Sequence, residues 1–177
     1  MKKISVAILF SIISITGTNA QVYLPTNYQD TLVPMFEEIK LTLKEDANGL
    51  YYERIIEVPG ATQADNMSAI KIFFTENHGS GRVVMDLIDD HSGVIIGKAN
   101  MGIDEPITMS TYAKDGKVKA ILRPNDYPTF AKFYRQNGKL KQLVEYYYNW
   151  VHPRCLAYLE AFEYAIRTQG GTNGSDW

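Results

Sequence analysis

Cysteine is nearly missing from this chain: 177 residues contain one, Cys155. A lone thiol closes no intramolecular bridge and supplies no cysteine-rich zinc cluster, so disulfide scaffolds and zinc ribbons are excluded. Catalytic signatures are missing too. The sequence has no Gly-x-Ser-x-Gly elbow, no His-Glu-x-x-His pair and no glycine-rich phosphate loop. It also lacks an excess of positive charge, with 18 basic against 20 acidic residues. A nucleic-acid binder needs a basic stripe to neutralise phosphates, so nucleic acid is not an expected partner, and anionic membrane surfaces are disfavoured in the same way. What is present is 45% hydrophobic residues against 21% charged, enough apolar material to fold. At this length one core can bury roughly 70% of the surface the unfolded chain exposes, so one domain over residues 37–169 is expected, without cross-links, structural metal or cofactor.

Residues 1–20 read as an address. Lys2 and Lys3 precede an apolar run from Ile4 to Ile15, and Thr18 and Ala20 place small residues before a cut between Ala20 and Gln21. The run is short for a bilayer span, and without a nearby cysteine lipoprotein attachment is excluded. The expectation is a secretory signal peptide and a periplasmic or secreted product with no membrane span after its removal. That product carries 16 basic and 20 acidic residues.

Residues 21–36, with Pro25, Asn27, Asp30 and Pro34, show no sustained period and read as an N-terminal arm. Ile39, Leu41 and Leu43 then alternate with Lys40, Thr42 and Lys44, Asn48-Gly49 makes a turn, and Tyr51 to Val58 reads as a strand, together a hairpin. A helix over 35–45 is the alternative, because Glu37, Glu38 and Lys40 are good helix formers. Thr62 and Asp65 form a capping box opening a helix to Glu76, which Asn77-His78-Gly79 ends. Strands follow at Arg82–Asp89 and Val94–Ala99 across an Asp90-His91-Ser92-Gly93 turn, then at Ile107–Ala113 and Lys117–Leu122 across Asp115-Gly116. From residue 138 to 169 the chain becomes helical and aromatic, with Lys139 and Lys141 at a solvated helix end. Pro153 divides this segment into two helices or one kinked helix. The tail, 170–177, is expected to be disordered. The fold class is α+β, an antiparallel sheet with one face covered by the first helix and the C-terminal helices adding an apolar layer.

The run Glu53-Arg54-Ile55-Ile56-Glu57-Val58-Pro59-Gly60-Ala61-Thr62, the helix after it, and the Ser92-Gly93-Val94-Ile95-Ile96-Gly97-Lys98 return strand resemble a bacterial domain family of unknown function. That family is described as having a TBP-like fold, after the TATA-box-binding protein, and occurs in exported envelope proteins. The resemblance covers roughly the middle third of the chain. It implies a curved antiparallel sheet carrying a helix, and no catalytic residues. The family's helix often carries a tryptophan near its end, where this chain has Phe73-Phe74. A fold name confers no DNA binding, since function belongs to sites.

Several constellations have residue types that could carry chemistry. Asp86, Asp89, Asp90, His91 and Asp115 could supply hard-cation ligands, but their positions suit turn chemistry and they lack the calcium-loop pattern, so no metal site is expected. His152 and Cys155 fall on one helix face, yet Cys155 continues the apolar stripe and reads as core. His78 reads as a helix C-terminal cap. Tyr146, Tyr147, Tyr148 and Trp150 stand out, because three successive tyrosines on a helix point in different directions and cannot all be core. Amphipathic rings of this kind favour interfaces and sugar stacking, so these four form the candidate binding site; packing over the sheet edge is the structural alternative. The expected function is a non-catalytic exported binding or accessory module, meeting an envelope protein or glycan through the sheet face or the Tyr146–Trp150 helix. The alternatives are a hydrolase using dispersed carboxylates and a carrier of a small apolar ligand.

Overall fold

The computed structural model describes residues 28–76, 84–100 and 106–170. The signal segment with its Ala20-Gln21 cut, the first part of the arm, the Asn77-His78-Gly79 cap, Arg82 and Val83 of the expected strand, and the tail after Gly170 lie outside them.

The element order is α1 (Tyr28–Thr42), β1 (Lys44–Asp46), β2 (Gly49–Glu57), α2 (Gln63–Glu76), β3 (Val84–Asp89), β4 (Val94–Asn100), β5 (Pro106–Lys114), β6 (Lys117–Pro124), a 3-10 turn (Phe130–Phe133), α3 (Leu143–Tyr146), a π turn (Tyr147–Val151) and α4 (His152–Gly170). The strands form one antiparallel sheet in the order β1-β2-β6-β5-β4-β3. Strand alternation puts Tyr52 and Ile56, Ile95 and Ala99, Ile107, Met109 and Ala113, and Val118, Ala120 and Leu122 on one buried face. That face is covered by α2, on β4 to β6, and by α4, on β2 and β6. The two helices pack side by side, so the C-terminal segment supplies the apolar helical layer expected of it. The result is a curved α+β architecture.

The first element corrects the hairpin reading and the arm with it. Residues 28–42 are helical, including Pro34, which removes the bond its N–H would have made to the carbonyl four residues back. Burial of Leu32, Phe36 and Ile39 at i, i+4 and i+7 offsets that loss. Ile39 and Leu43 fit a strand period and a helical one equally, and Leu41 decides between them: it is 83% exposed while Ile39 and Leu43 are buried. Of the expected first strand arm, Ile39 to Lys44, only Lys44 is in a strand, the three-residue β1.

The Thr62 box forms as its spacing requires. Thr62 N and Oγ1 donate to Asp65 Oδ2, and Asp65 N donates back to Thr62 Oγ1. Asp115 adds an acceptor for Gln63 N at 2.7 Å, tying the β5–β6 turn to the start of α2. Residues 138–142 are not helical, a second correction. Gly138, with φ +76°, lets 134–140 turn back so that Tyr134 pairs with Leu140, and Lys139 and Lys141 sit on that turn and not on a helix end.

Candidate functional site

The C-terminal helical run is continuous, with one wide turn where Pro153 intervenes. Proline has no N–H to donate to Asn149, so the ladder shifts by one residue: His152 N donates to Tyr147 O, a five-residue step. Arg154 reaches back across the turn, donating from Nη1 to the Trp150 carbonyl at 2.8 Å and lying over the indole at 5.3 Å. The Trp150 carbonyl and its ring are thereby held by the same guanidinium.

The wide turn separates the four candidate aromatics into different environments. Tyr147 is fully buried, edge-on to Tyr127 and Phe133 at 4.6 and 5.1 Å. Tyr148 is half-buried and donates to Glu38 on α1 at 2.7 Å, which also raises its pKa. Tyr146 and Trp150 are 41% and 53% exposed. Four residues apart, these two line a shallow depression of about 460 Å³ with Gln142, Leu143, Glu145 and Asn149. Glu145 accepts from the Tyr28 hydroxyl of α1. Two of the four tyrosine and tryptophan candidates therefore face solvent, and two are scaffold.

Sequence reasoning missed the polar lining, Gln142, Glu145 and Asn149, and the brace Arg154. The four-residue spacing of Trp150 and Arg154 was the available signal, together with Pro153 breaking the ladder between them.

Beneath the depression lies a buried polar chain. Tyr52 Oη is 3.0 Å from Tyr147 Oη and 2.8 Å from His152 Nδ1. Burial raises both tyrosine pKa values well above the ordinary one and lowers that of His152, which is therefore neutral at pH 7. Only with the ring proton on Nε2 do both buried hydroxyl protons find acceptors, and the chain then reads Tyr147 O–H to Tyr52, and Tyr52 O–H to His152 Nδ1. Cys155, one turn further on, is a buried core thiol and no nucleophile site. Because His152 binds its proton more weakly folded than unfolded, the unfolded chain takes up more protons as pH falls below about 6.5. Stability contributed by the neutral imidazole is present above that pH and falls away toward the lower folded pKa. Urea midpoints measured from pH 8 to 5 should decline below pH 6.5, and His152→Gln should flatten part of that decline.

The other constellations disperse. Asp89 accepts from His91 N and from Ser92 N and Oγ, which holds its carboxyl below the usual range. Asp90 pairs with Lys71 at 2.6 Å, Asp86 with Lys98, and Asp115 caps α2. Among the described residues no three potential ligands gather as a metal site. Asp46 and Glu53 are likewise held low, by Arg123 and by Lys119 with Lys44. A general acid needs the opposite displacement.

The uncovered sheet face carries Ile55, Tyr112 and Leu87 among charged residues that satisfy one another. Glu53 takes Lys44 and Lys119, Glu57 takes Lys117, and Asp46 takes Arg123 at 2.7 Å, with Arg123 also over the Tyr51 ring. No basic stripe results from these lysines. A second depression, about 380 Å³, lies along Gln63, Met67, Ser68 and Lys71 of α2, and no aromatic lines it.

No protein-family model matches the chain, and no curated protein does. Two solved structures resemble it. A DUF4468 family protein from Bacteroides ovatus superposes with a TM-score of 0.56 at 11% identity, over 75% of this chain and 94% of that one. A TBP-like protein from Parabacteroides distasonis gives 0.45 at 11% identity, over 68% and 96%. The first, a bacterial protein described by a domain of unknown function, is of the kind that the Glu53–Lys98 residues pointed to. At such identity the likeness speaks for architecture alone: the chain has the fold of the DUF4468 family protein, a curved antiparallel sheet with its helices on one face.

Proposed function

We propose that this chain is a non-catalytic, exported binding module of the bacterial cell envelope, taking a glycan on the face formed by Tyr146 and Trp150. The observation that carries the reading is the exposed indole of Trp150, braced by Arg154 and set one turn from Tyr146 beside two amides and a carboxylate. A flat ring offers the apolar face of a sugar a stacking surface, and Gln142, Asn149 and Glu145 offer its hydroxyls donors and acceptors. An open depression suits a chain-like ligand better than a small apolar molecule, which needs an enclosed cavity. Export is supported by the Lys2 to Gln21 pattern, and a bacterial envelope by the family resemblance and the bacterial source of the structural relative.

The mature protein, beginning at Gln21, should be retained on immobilised envelope polysaccharide and released by soluble fragments of it. Trp150→Ala should weaken retention about fivefold or more, since losing an aromatic anchor costs about 1–3 kcal/mol. Retention unchanged by Trp150→Ala and Tyr146→Ala would sink the assignment. Retention on an envelope protein, but on no glycan, would replace the ligand class.

A further inference from the structure

A π turn is a marginal piece of backbone, with poorer bonds than an α turn, and it persists where its surroundings hold it. Here both of its ends are tied to one atom of the sheet. Tyr147 begins the turn and His152 follows it, and both reach the Tyr52 hydroxyl on β2. Between them the turn carries Trp150, while Tyr146 immediately precedes it. The spacing of the two exposed rings therefore depends on a register fixed from below.

We propose that the Tyr52 hydroxyl is the positioning group of the Tyr146–Trp150 face, and that protonation of His152 releases its hold, making the site acid-responsive. This rests on that face being the binding site, although its structural content does not require a ligand.

Proton counting gives the mechanism. With His152 neutral and its proton on Nε2, two hydroxyl protons have two acceptors, Tyr52 Oη and His152 Nδ1. Once Nδ1 carries a proton it must donate, and Tyr52 must accept from it. Tyr52 then either turns its own proton to Tyr147 or loses its acceptor. If it turns, the Tyr147 proton needs a new acceptor, and this fully buried side chain has no other hydrogen-bond partner among the described residues. Either way one buried donor is orphaned. The groups facing His152 are Tyr52 on β2, Tyr148 at the π turn and Glu38 on α1, while Tyr147 and Cys155 act on Tyr52. Tyr148 stacks on the imidazole at 6.3 Å and donates to Glu38, whose carboxylate favours the charged ring. Burial opposes it more strongly, so the proton arrives below the ordinary histidine range.

The chain has two tryptophans, Trp150 and Trp177, so Trp177→Phe leaves Trp150 as the sole indole reporter. In that background, emission followed from pH 8 to 5 should change in one single-proton step below pH 6.5. His152→Gln should abolish the step, and Tyr52→Phe should show the acid-form emission already at pH 8. A pH-independent emission in the parent, a step surviving His152→Gln, or a Tyr52→Phe profile identical to the parent would each overturn the proposal. Should Tyr52→Phe lose its far-ultraviolet circular dichroism, the parent and His152→Gln profiles decide it. The readout needs no ligand, so a pH-silent Trp150 removes this inference alone, while absent glycan retention removes the binding assignment alone.

Discussion

Tyr147→Ala should cost about 3–5 kcal/mol of folding stability, the range for removing a fully buried aromatic side chain. The ring packs edge-on against Tyr127 and Phe133, and its hydroxyl meets Tyr52. Truncation empties that volume and leaves the Tyr52 hydroxyl without its donor. Tyr147→Phe, which keeps the ring, should cost only about 0.5–1.5 kcal/mol. Tyr146→Ala, one residue away but exposed, should stay within about 1 kcal/mol. Urea unfolding checks all three, with an unchanged slope showing that midpoint differences are stability differences. Equal costs at 146 and 147 would mean that the wide turn does not divide the tyrosines between core and surface.

Gly93→Ala should cost about 2–4 kcal/mol, from backbone strain and a contact that cannot relax cheaply. Gly93 closes the β3–β4 turn at φ +71°, a conformation that side chains rarely adopt, and an added Cβ would lie 2.3 Å from the Ala113 carbonyl oxygen. That oxygen belongs to β5 backbone, where Ala113 N also donates to Gly93 O at 2.7 Å. Relieving the clash therefore moves the turn off its neighbouring strand. Thermal unfolding of Gly93→Ala beside Gly138→Ala, where an added Cβ meets nothing within 4 Å, separates the collision from the cost of positive φ alone.

Much of the sheet was legible because its signals were local. Asp115-Gly116 and Asp90 to Gly93 are turn chemistry between alternating runs, and Thr62 with Asp65 marks a helix start. The first helix was legible only as the alternative over 35–45, since Ile39 and Leu43 satisfy both periods and the deciding exposure of Leu41 depends on what packs beside it. Residues 138–142 failed for another reason: Leu140 continues the helical stripe in sequence, but Gly138 and the Tyr134 pairing hold it in a turn. The four aromatics were found as a group from composition, whereas their division between surface and core depends on a one-residue ladder shift. Pro153 announces that a shift must occur without saying which residue absorbs it. Tyr52, a hundred residues from His152, carries no local signal at all.

The claim on which the functional reading depends is that Trp150 touches the ligand. Adding envelope polysaccharide fragments to the isotope-labelled mature protein and following the two indole N–H resonances by nuclear magnetic resonance tests it most directly. A saturable shift of the Trp150 resonance with Trp177 unmoved is the expected result, and a Trp150 resonance unmoved while fragments bind elsewhere, or do not bind, contradicts the account.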